Sequence, residues 1–236
     1  MISVVIPCYN EEKCISECLR SLAGQKTFRD YEVIVVDNGS TDGTAEVARR
    51  FESALPLRLI SEPRKGRGAA RKAGCAAAKG DIILSTDADA VVPTDWIETM
   101  VAGFSDAGTV GVTGTCYITD QSWLTNAVFN FVQPAVTVAQ RLFFGSYWVL
   151  GSNGGFRKDA YEKMGGYNAG LNSQEDTQFS LLLREHGVIR LIPKLRVRTS
   201  GRRFSRGVFV GLFEYVRSFF ERYLLRKKDV YLRDAR

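Results

Sequence analysis

One histidine, His186, is all that the 236 residues contain, which excludes a multi-histidine metal centre within the chain. The five cysteines, Cys8, Cys14, Cys18, Cys75 and Cys116, are odd in number and form no CxxC pair, so neither a zinc ribbon nor a disulfide scaffold is expected. Cys14 and Cys18 share one face of an expected helix, but two thiolates alone do not make a metal site. All five are read as reduced core residues of a cytosolic protein. After Met1 there is no basic leader and no small-residue cleavage site, so the apolar run Ile2–Ile6 reads as a first buried strand and not as a signal peptide. Residues 121–140 lack charge and are long enough to cross a bilayer. Asn126, Asn130, Gln133, Pro134 and Gln140 interrupt that stretch, and a partly buried or interfacial helix is expected instead. No repeat or low-complexity linker is present. A composition of 45% hydrophobic and 25% charged residues is that of a globular chain able to bury a core.

What is present is unevenly placed. Residues 202–236 carry ten Lys/Arg against four Asp/Glu, so the whole formal net charge of +6 lies in the tail. Nucleic acid, an anionic membrane surface or a phosphorylated substrate would each suit such a tail. Its apolar stripe Phe209, Leu212, Phe213, Val216, Phe220, Tyr223 and Leu224, flanked by Arg217, Arg222 and Arg226, predicts a basic amphipathic helix. The first half alternates strand and helix. Strands are expected at Ile2–Ile6, Val33–Val36, Leu57–Ile60 and Ile82–Ser85. Helices are expected at Glu11–Leu22, from Thr41 or Asp42 to about Phe51, and at Ala69–Ala78. This order implies a mostly parallel α/β sheet with flanking helices, and ligands of such sheets bind beyond the carboxyl ends of the strands. Asp37, Asp87 and Asp89 all fall there.

Asp87-Ala88-Asp89 ends an apolar strand, and carboxylates at i and i+2 can turn to the same side. They supply hard oxygen ligands suited to Mg²⁺ or Mn²⁺, whose charge would neutralise a departing diphosphate. The plainer reading is an acidic turn capping a helix that begins near Pro93. Other segments favour the metal. Val4-Val5-Ile6-Pro7-Cys8-Tyr9-Asn10-Glu11-Glu12, Val35-Val36-Asp37-Asn38-Gly39-Ser40-Thr41-Asp42-Gly43-Thr44, Gly66-Arg67-Gly68-Ala69-Ala70-Arg71-Lys72-Ala73-Gly74, Thr86-Asp87-Ala88-Asp89, and Gly165-Gly166-Tyr167 followed by Gln174-Glu175-Asp176 occur in that order. Together they resemble family 2 glycosyltransferases of the GT-A (Rossmann-like) fold. The match runs over about residues 2–190, with Lys72 in place of the usual asparagine.

The resemblance implies roles for these residues. Pro7, Tyr9 and Glu11 would line the nucleoside pocket, and Asp37 would hydrogen-bond the base or ribose. Arg71 would sit near the base and phosphates, Asp87 and Asp89 would hold the metal, and Asp176 would be the general base of an inverting displacement. Plainer readings stand beside them: Glu11 as a helix N-terminal carboxylate, Asp37 as a turn stabiliser, Arg71 as a solvated helix residue, Asp176 as part of a first helical turn. The family's QxxRW ending is missing. Arg202-Arg203-Phe204 comes at a similar distance, and its guanidinium groups would grip the diphosphate in that role; a membrane- or solvent-facing basic segment is the alternative. Val91 stands where some relatives carry a further metal ligand.

The implied organisation is a catalytic domain over 1–205, with a nucleotide-sugar half (1–115) and an acceptor half (116–205), then a basic amphipathic tail (206–236). The implied donor is a UDP-sugar first and a GDP-sugar second. The acceptor is a hydroxyl or phosphate, on a glycan or on a lipid-linked (polyprenyl-phosphate) molecule. The uncharged segment 121–156 and the tail together suit peripheral contact with the cytoplasmic face of a membrane. A nucleotidyltransferase would carry a glycine-rich basic loop after the first strand, where this chain has Cys8-Tyr9-Asn10-Glu11. A non-catalytic nucleotide or nucleic-acid binder would leave the Glu175-Asp176 pair without a purpose, so nucleic acid is not expected as a partner. Oligomeric state is not legible.

Overall fold

The computed structural model describes residues 1–205 and 207–223. Seven strands form one sheet in the order β3-β2-β1-β4-β6-β5-β7. The first half follows the expected alternation: β1 (Ile2–Cys8), α1 (Ile15–Ala23), β2 (Tyr31–Asp37), α2 (Thr44–Arg49), β3 (Leu57–Ser61), α3 (Arg67–Ala77) and β4 (Ile82–Ser85). The rest is α4 (Trp96–Ala102), β5 (Thr109–Tyr117), α5 (Trp123–Phe144), β6 (Gly154–Arg157), α6 (Lys158–Lys163), α7 (Glu175–Leu183), β7 (Val188–Arg198) and α8 (Val208–Tyr223). The sheet is parallel except at β6, which runs antiparallel to both β4 and β5.

β1 and β2 are buried on both faces, as strands covered by helices on either side must be. Their alternating side chains feed two cores. Val4 and Ile6 pack with Leu19, Leu22, Trp96 and Ile97 on one face. Val5 packs with Val36, Phe156, Tyr161, Tyr167 and Phe179 on the other. The register puts Cys8 beside Asp37 and Val5 beside Ser85. The loops after β1, β2 and β4 therefore leave from one edge of the sheet. Because the chain winds outward to β3 and returns to place β4 on the other side of β1, that edge is a topological switch point.

Three helix starts differ from expectation, and α3 begins at Arg67, two residues before the expected Ala69. α1 begins at Ile15 and not at Glu11, because Asn10 takes a left-handed backbone (φ 53°) and residues 11–14 form a turn in which the Glu11 carbonyl accepts from Cys14 and Ile15. Asparagine adopts that conformation more readily than other non-glycine residues. The N-cap of α2 is Gly43, one residue beyond the expected Asp42, whose carboxylate accepts from the Thr44 amide at 3.1 Å.

α5 is 22 residues long, and its side chains are inverted relative to an ordinary surface helix. Its buried residues are Thr125, Thr137 and Gln140, whereas Trp123 (80%), Phe131 (78%), Leu142 (82%) and Phe143 (81%) stand exposed. The amides that interrupt the uncharged stretch explain this arrangement. Asn130 pairs with both backbone groups of Ile118 (2.9 and 3.0 Å), Gln133 accepts from the Cys116 amide at 3.0 Å, and Asn126 bonds Gln121. They stitch α5 to the end of β5, leaving the apolar side outward. No helix among the described residues is long and apolar enough to cross a membrane. In α8, Phe209, Val210 and Phe213 are exposed. The expected stripe residue Leu224 and the flanking Arg226 lie outside the described residues, as does the rest of the tail.

Asn153, fully buried before β6, joins three elements. It accepts from the Trp96 indole at 2.9 Å and donates to the carbonyls of Thr115 (2.8 Å) and Leu195 (2.9 Å). Asn153→Ala leaves a buried donor and two buried acceptors unpaired and is expected to cost about 3 kcal/mol. Urea unfolding with an unchanged m-value checks this, and a loss below ~1 kcal/mol would show that the network is not needed.

Candidate active site

The loops after β1 and β2 are built on each other. Ser40 Oγ accepts from the Asn10 amide at 3.0 Å, and Asn10 Oδ1 accepts from the Thr41 amide at 2.8 Å. Thr44 Oγ1 accepts from the Glu11 amide at 2.8 Å, Asp42 accepts from the Glu12 amide, and Glu12 accepts from the Gly43 amide. The side chains of each loop thus satisfy backbone donors of the other, which rigidifies a sheet edge that has no ladder left to pair with. Asn38 extends the same framework: it donates to the carbonyls of Glu62 and Arg64 and accepts from the Gly66 amide, all at 2.8 Å. This holds the entry to α3. Lys65 reaches back, 4.0 Å over the Tyr9 ring.

Arg71 on α3 is buried, and four elements converge on its guanidinium. It donates to Ser85 Oγ at 2.7 Å and to Asp87 Oδ1 at 2.9 Å. It lies 3.4 Å from Asp176 Oδ1 and 3.7 Å from Glu175, and its Nη1 also meets the Gly151 carbonyl at 3.4 Å. Asp176 in turn accepts from the Gly151 amide at 3.0 Å. Helix α7, which carries Asp176, is anchored by Phe179 stacking on Tyr167 at 4.2 Å and packing on Phe156 at 4.7 Å. Burial pushes the Asp176 carboxyl up to about 7, against the opposing pull of Arg71. Arg71 itself is held well above its ordinary value: burial works against its charge, and the facing carboxylates, Asp176 first, outweigh it.

A second guanidinium compensates the other carboxylate. Arg202, in a short 3₁₀ turn at Arg202–Phe204, grips Glu11 with two bonds of 2.8 and 2.6 Å and lies 2.9 Å from Asp89 Oδ2. Burial and the neighbouring Asp87 push Asp89 up to about 6, with Arg202 pulling the other way. Val91 pairs through its backbone with Arg198 (2.8 and 3.2 Å), fixing the Asp89 loop to the end of β7.

These residues line one cavity of about 740 Å³. Pro7, Tyr9, Glu11, Arg71, Asp87, Asp89, Asp176, Arg202 and Arg203 all contribute to its wall. Asp37 does not line it; its carboxylate accepts from the Ser40 amide at 3.0 Å, within its own turn. The opposite wall is apolar and comes from α5 and Trp148. Sequence reasoning missed Ser85, Asn38 and Gly151, which carry no distinctive chemistry by themselves. The glycine-rich run Gly151-Ser152-Asn153-Gly154-Gly155 is the signal that a close backbone approach was required there.

Among the described residues no group of three His, Cys, Asp or Glu side chains is arranged to hold a metal ion. Asp87 and Asp89 nevertheless fit one. They are hard oxygen donors, two in number, at the mouth of a cavity large enough for the phosphates that complete such a shell.

The family model for Glycosyl transferase family 2 matches residues 3–165. Glycosyltransferase AglE of Haloferax volcanii is 40% identical over 111 residues, 45% of this chain and 36% of that protein. Undecaprenyl-phosphate 4-deoxy-4-formamido-L-arabinose transferase of Pseudomonas fluorescens is 36% identical over 118 residues, 46% of this chain and 35% of that protein. The chain thus spans little more than a third of these relatives' length. Among solved structures, mannosyltransferase PcManGT from Pyrobaculum calidifontis, in complex with GDP-Man and Mn²⁺, superposes with a TM-score of 0.65 at 25% identity, covering 92% of this chain and 64% of that one.

A methyl group on Gly151 would lie 2.0 Å from Arg71 Nη2 and 2.6 Å from Asp176 Oδ2. Gly151→Ala therefore has to displace one of the two charged groups and strain a buried ion pair, which is expected to cost about 3 kcal/mol. A clearly lowered Tm, with a folded far-ultraviolet spectrum retained, is expected; a wild-type Tm would contradict it.

Proposed function

Because the chain belongs to glycosyl transferase family 2, we propose that it moves a sugar with inversion from a nucleoside-diphosphate donor to an acceptor hydroxyl or phosphate, in a metal-dependent reaction. The observation that carries this reading is the placement of Asp87 and Asp176 against one buried guanidinium, in the same cavity as Asp89 and Arg202. Inverting displacement at an anomeric carbon needs a carboxylate on the attacking side and positive charge on the leaving side, and this cavity carries both. Family membership removes the support for a nucleotidyltransferase or a non-catalytic binder.

The residues take the following parts. Pro7, Tyr9 and Lys65 enclose the nucleoside, and the framework of Asn38 keeps their loops in place. Asp87 and Asp89 hold a divalent cation, which when bound supplies charge neutralisation of the departing diphosphate. Arg202 and Arg203 face the same phosphates. Asp176 accepts the acceptor proton, and a carboxylate raised to about 7 by burial is a stronger base than a solvated one. PcManGT, solved with GDP-Man and Mn²⁺, supports a nucleotide-sugar donor and a divalent ion.

The acceptor reading rests on α5. Val136 and Phe143 belong both to the cavity wall and to the exposed apolar face, so apolar side chains of α5 lead from the cavity to the outside. An acceptor with an apolar portion, such as a polyprenyl phosphate, would lie along it. The undecaprenyl-phosphate transferase among the relatives is consistent with this. The same face, in a chain whose last 35 residues carry a net charge of +6, would rest on an anionic membrane surface at the cytoplasmic side.

A donor screen that follows nucleoside diphosphate release, over UDP- and GDP-sugars, with and without EDTA, tests the activity. Release that survives EDTA would exclude the metal, and no release from any donor, with polyprenyl phosphate or glycan supplied, would exclude the reaction. In the same assay Asp176→Asn should keep donor binding and lower turnover by ~10²–10⁴-fold for a hydroxyl acceptor. For a phosphate monoester, whose second pKa is about 6, the loss should be much smaller. Wild-type kcat/KM should rise with pH through about 7 as Asp176 loses its proton, and that limb should be missing in Asp176→Asn. For the membrane contact, Phe131→Glu/Leu142→Glu should lose co-sedimentation with phosphatidylglycerol-containing vesicles that the wild type shows. Equal partitioning of both proteins would remove α5 from that role.

A further inference from the structure

The two carboxylates of the Asp87/Asp89 pair are compensated in different ways. Asp87 faces Arg71, which is buried at 3% exposure and bound also to Ser85, Gly151 and the α7 carboxylates; that guanidinium has nowhere to go. Asp89 faces Arg202, whose side chain is 26% exposed and, with Glu11 and Asp89, borders the cavity. The backbone on either side of Arg202 is fastened. Gly201 donates to the Asp120 carboxylate at 2.8 Å, Arg198 is paired with Val91, and Phe204 is buried against Ile118 and Val208, 5.0 Å from the Phe129 ring. The side chain is therefore the part of this segment that can move, and it borders the cavity.

We infer that Arg202 is an internal counter-cation which occupies Asp89 and Glu11 until a donor diphosphate offers it another anion, so that metal and nucleotide enter as a unit. The inference rests on the metal-site reading above. Asp89 Oδ2 is already paired with the Arg202 guanidinium at 2.9 Å, so an ion can use that oxygen only after the pair breaks. A diphosphate removes the obstacle, because it accepts bidentate bonds from arginine as well as a carboxylate does. In the exchange Asp89 would pass from guanidinium to metal, and Arg202 from Asp89 and Glu11 to the phosphates. Glu11, at 4% exposure, stays in the wall of the same cavity. Arg202 is thus a positioning residue that makes the affinity for the ion conditional on the donor.

Linkage makes this measurable, because a nucleotide that raises metal affinity must itself be bound more tightly by the same factor when metal is present. The experiment is titration of Mn²⁺ into the protein, with free Mn²⁺ read by electron paramagnetic resonance, alone and with UDP or GDP. The wild type should bind Mn²⁺ weakly alone and roughly 5–150-fold more tightly with the matching nucleotide. Arg202→Gln should bind Mn²⁺ alone about tenfold more tightly or better and lose most of the enhancement by nucleotide. Glu11→Gln/Arg202→Gln also removes the buried charge that faces Arg202, and should behave likewise. Adding Asp89→Asn should cancel the gain. Wild-type Mn²⁺ affinity in the Arg202 variants, alongside an intact wild-type enhancement, overturns the inference and leaves the metal site standing. A wild type that takes up no Mn²⁺ with either nucleotide overturns the metal site as well.

Discussion

A guanidinium taken out of water is tolerated only where anions and hydrogen-bond acceptors replace its hydration. At Arg71 that requirement reaches across the molecule. Its partners come from β4 (Ser85), the loop after β4 (Asp87), the loop before β6 (Gly151) and the start of α7 (Glu175, Asp176). The parallel first half and the mixed second half meet at this side chain. Satisfying its charge demands that the two halves stand in one relative position, and that position also sets Asp87 and Asp176 against the same guanidinium. The same atoms therefore serve the assembly of the fold and the arrangement of the site.

The second half solves a different problem. Helix α5 has to lie against the end of β5 without offering it an apolar stripe, and it does so through side-chain amides bonded to the backbone of residues 116–121. Hydrogen bonds hold it on the protein side, so the hydrophobic side is left for something else. An ordinary amphipathic helix uses its apolar face to stay attached; α5 has that face available.

Much of the first half was legible in the sequence because it is local. Continuous apolar runs of four to seven residues make two-sided buried strands, and the intervening helices have 3.6-residue periodicity. The residues expected to act together, from Pro7 to Arg203, do border one cavity, apart from Asp37, whose carboxylate is occupied by the Ser40 amide. What could not be read is pairing at a distance. Nothing in the spacing of Glu11 and Arg202, 191 residues apart, indicates that they form a bidentate pair. Gly151 looks like any loop glycine until Arg71 and Asp176 are seen at its Cα. The starts of α1 and α2 were missed by a few residues for a similar reason: the loops before them are shaped by each other and not by their own sequence.

That mutual shaping has a consequence for how such a site can change. The Tyr9–Glu12 and Ser40–Thr44 loops exchange at least five hydrogen bonds in which one loop's side chain meets the other's main chain. Neither is a separable module. A loop transplanted alone from another protein would arrive with its backbone donors aimed at side chains the host does not have, so new ligand preferences reach this scaffold only through paired replacements. The Tyr9 end of the cavity is inherited as a couple, whereas the α5 wall, tied down through a few amides, is free to vary one residue at a time.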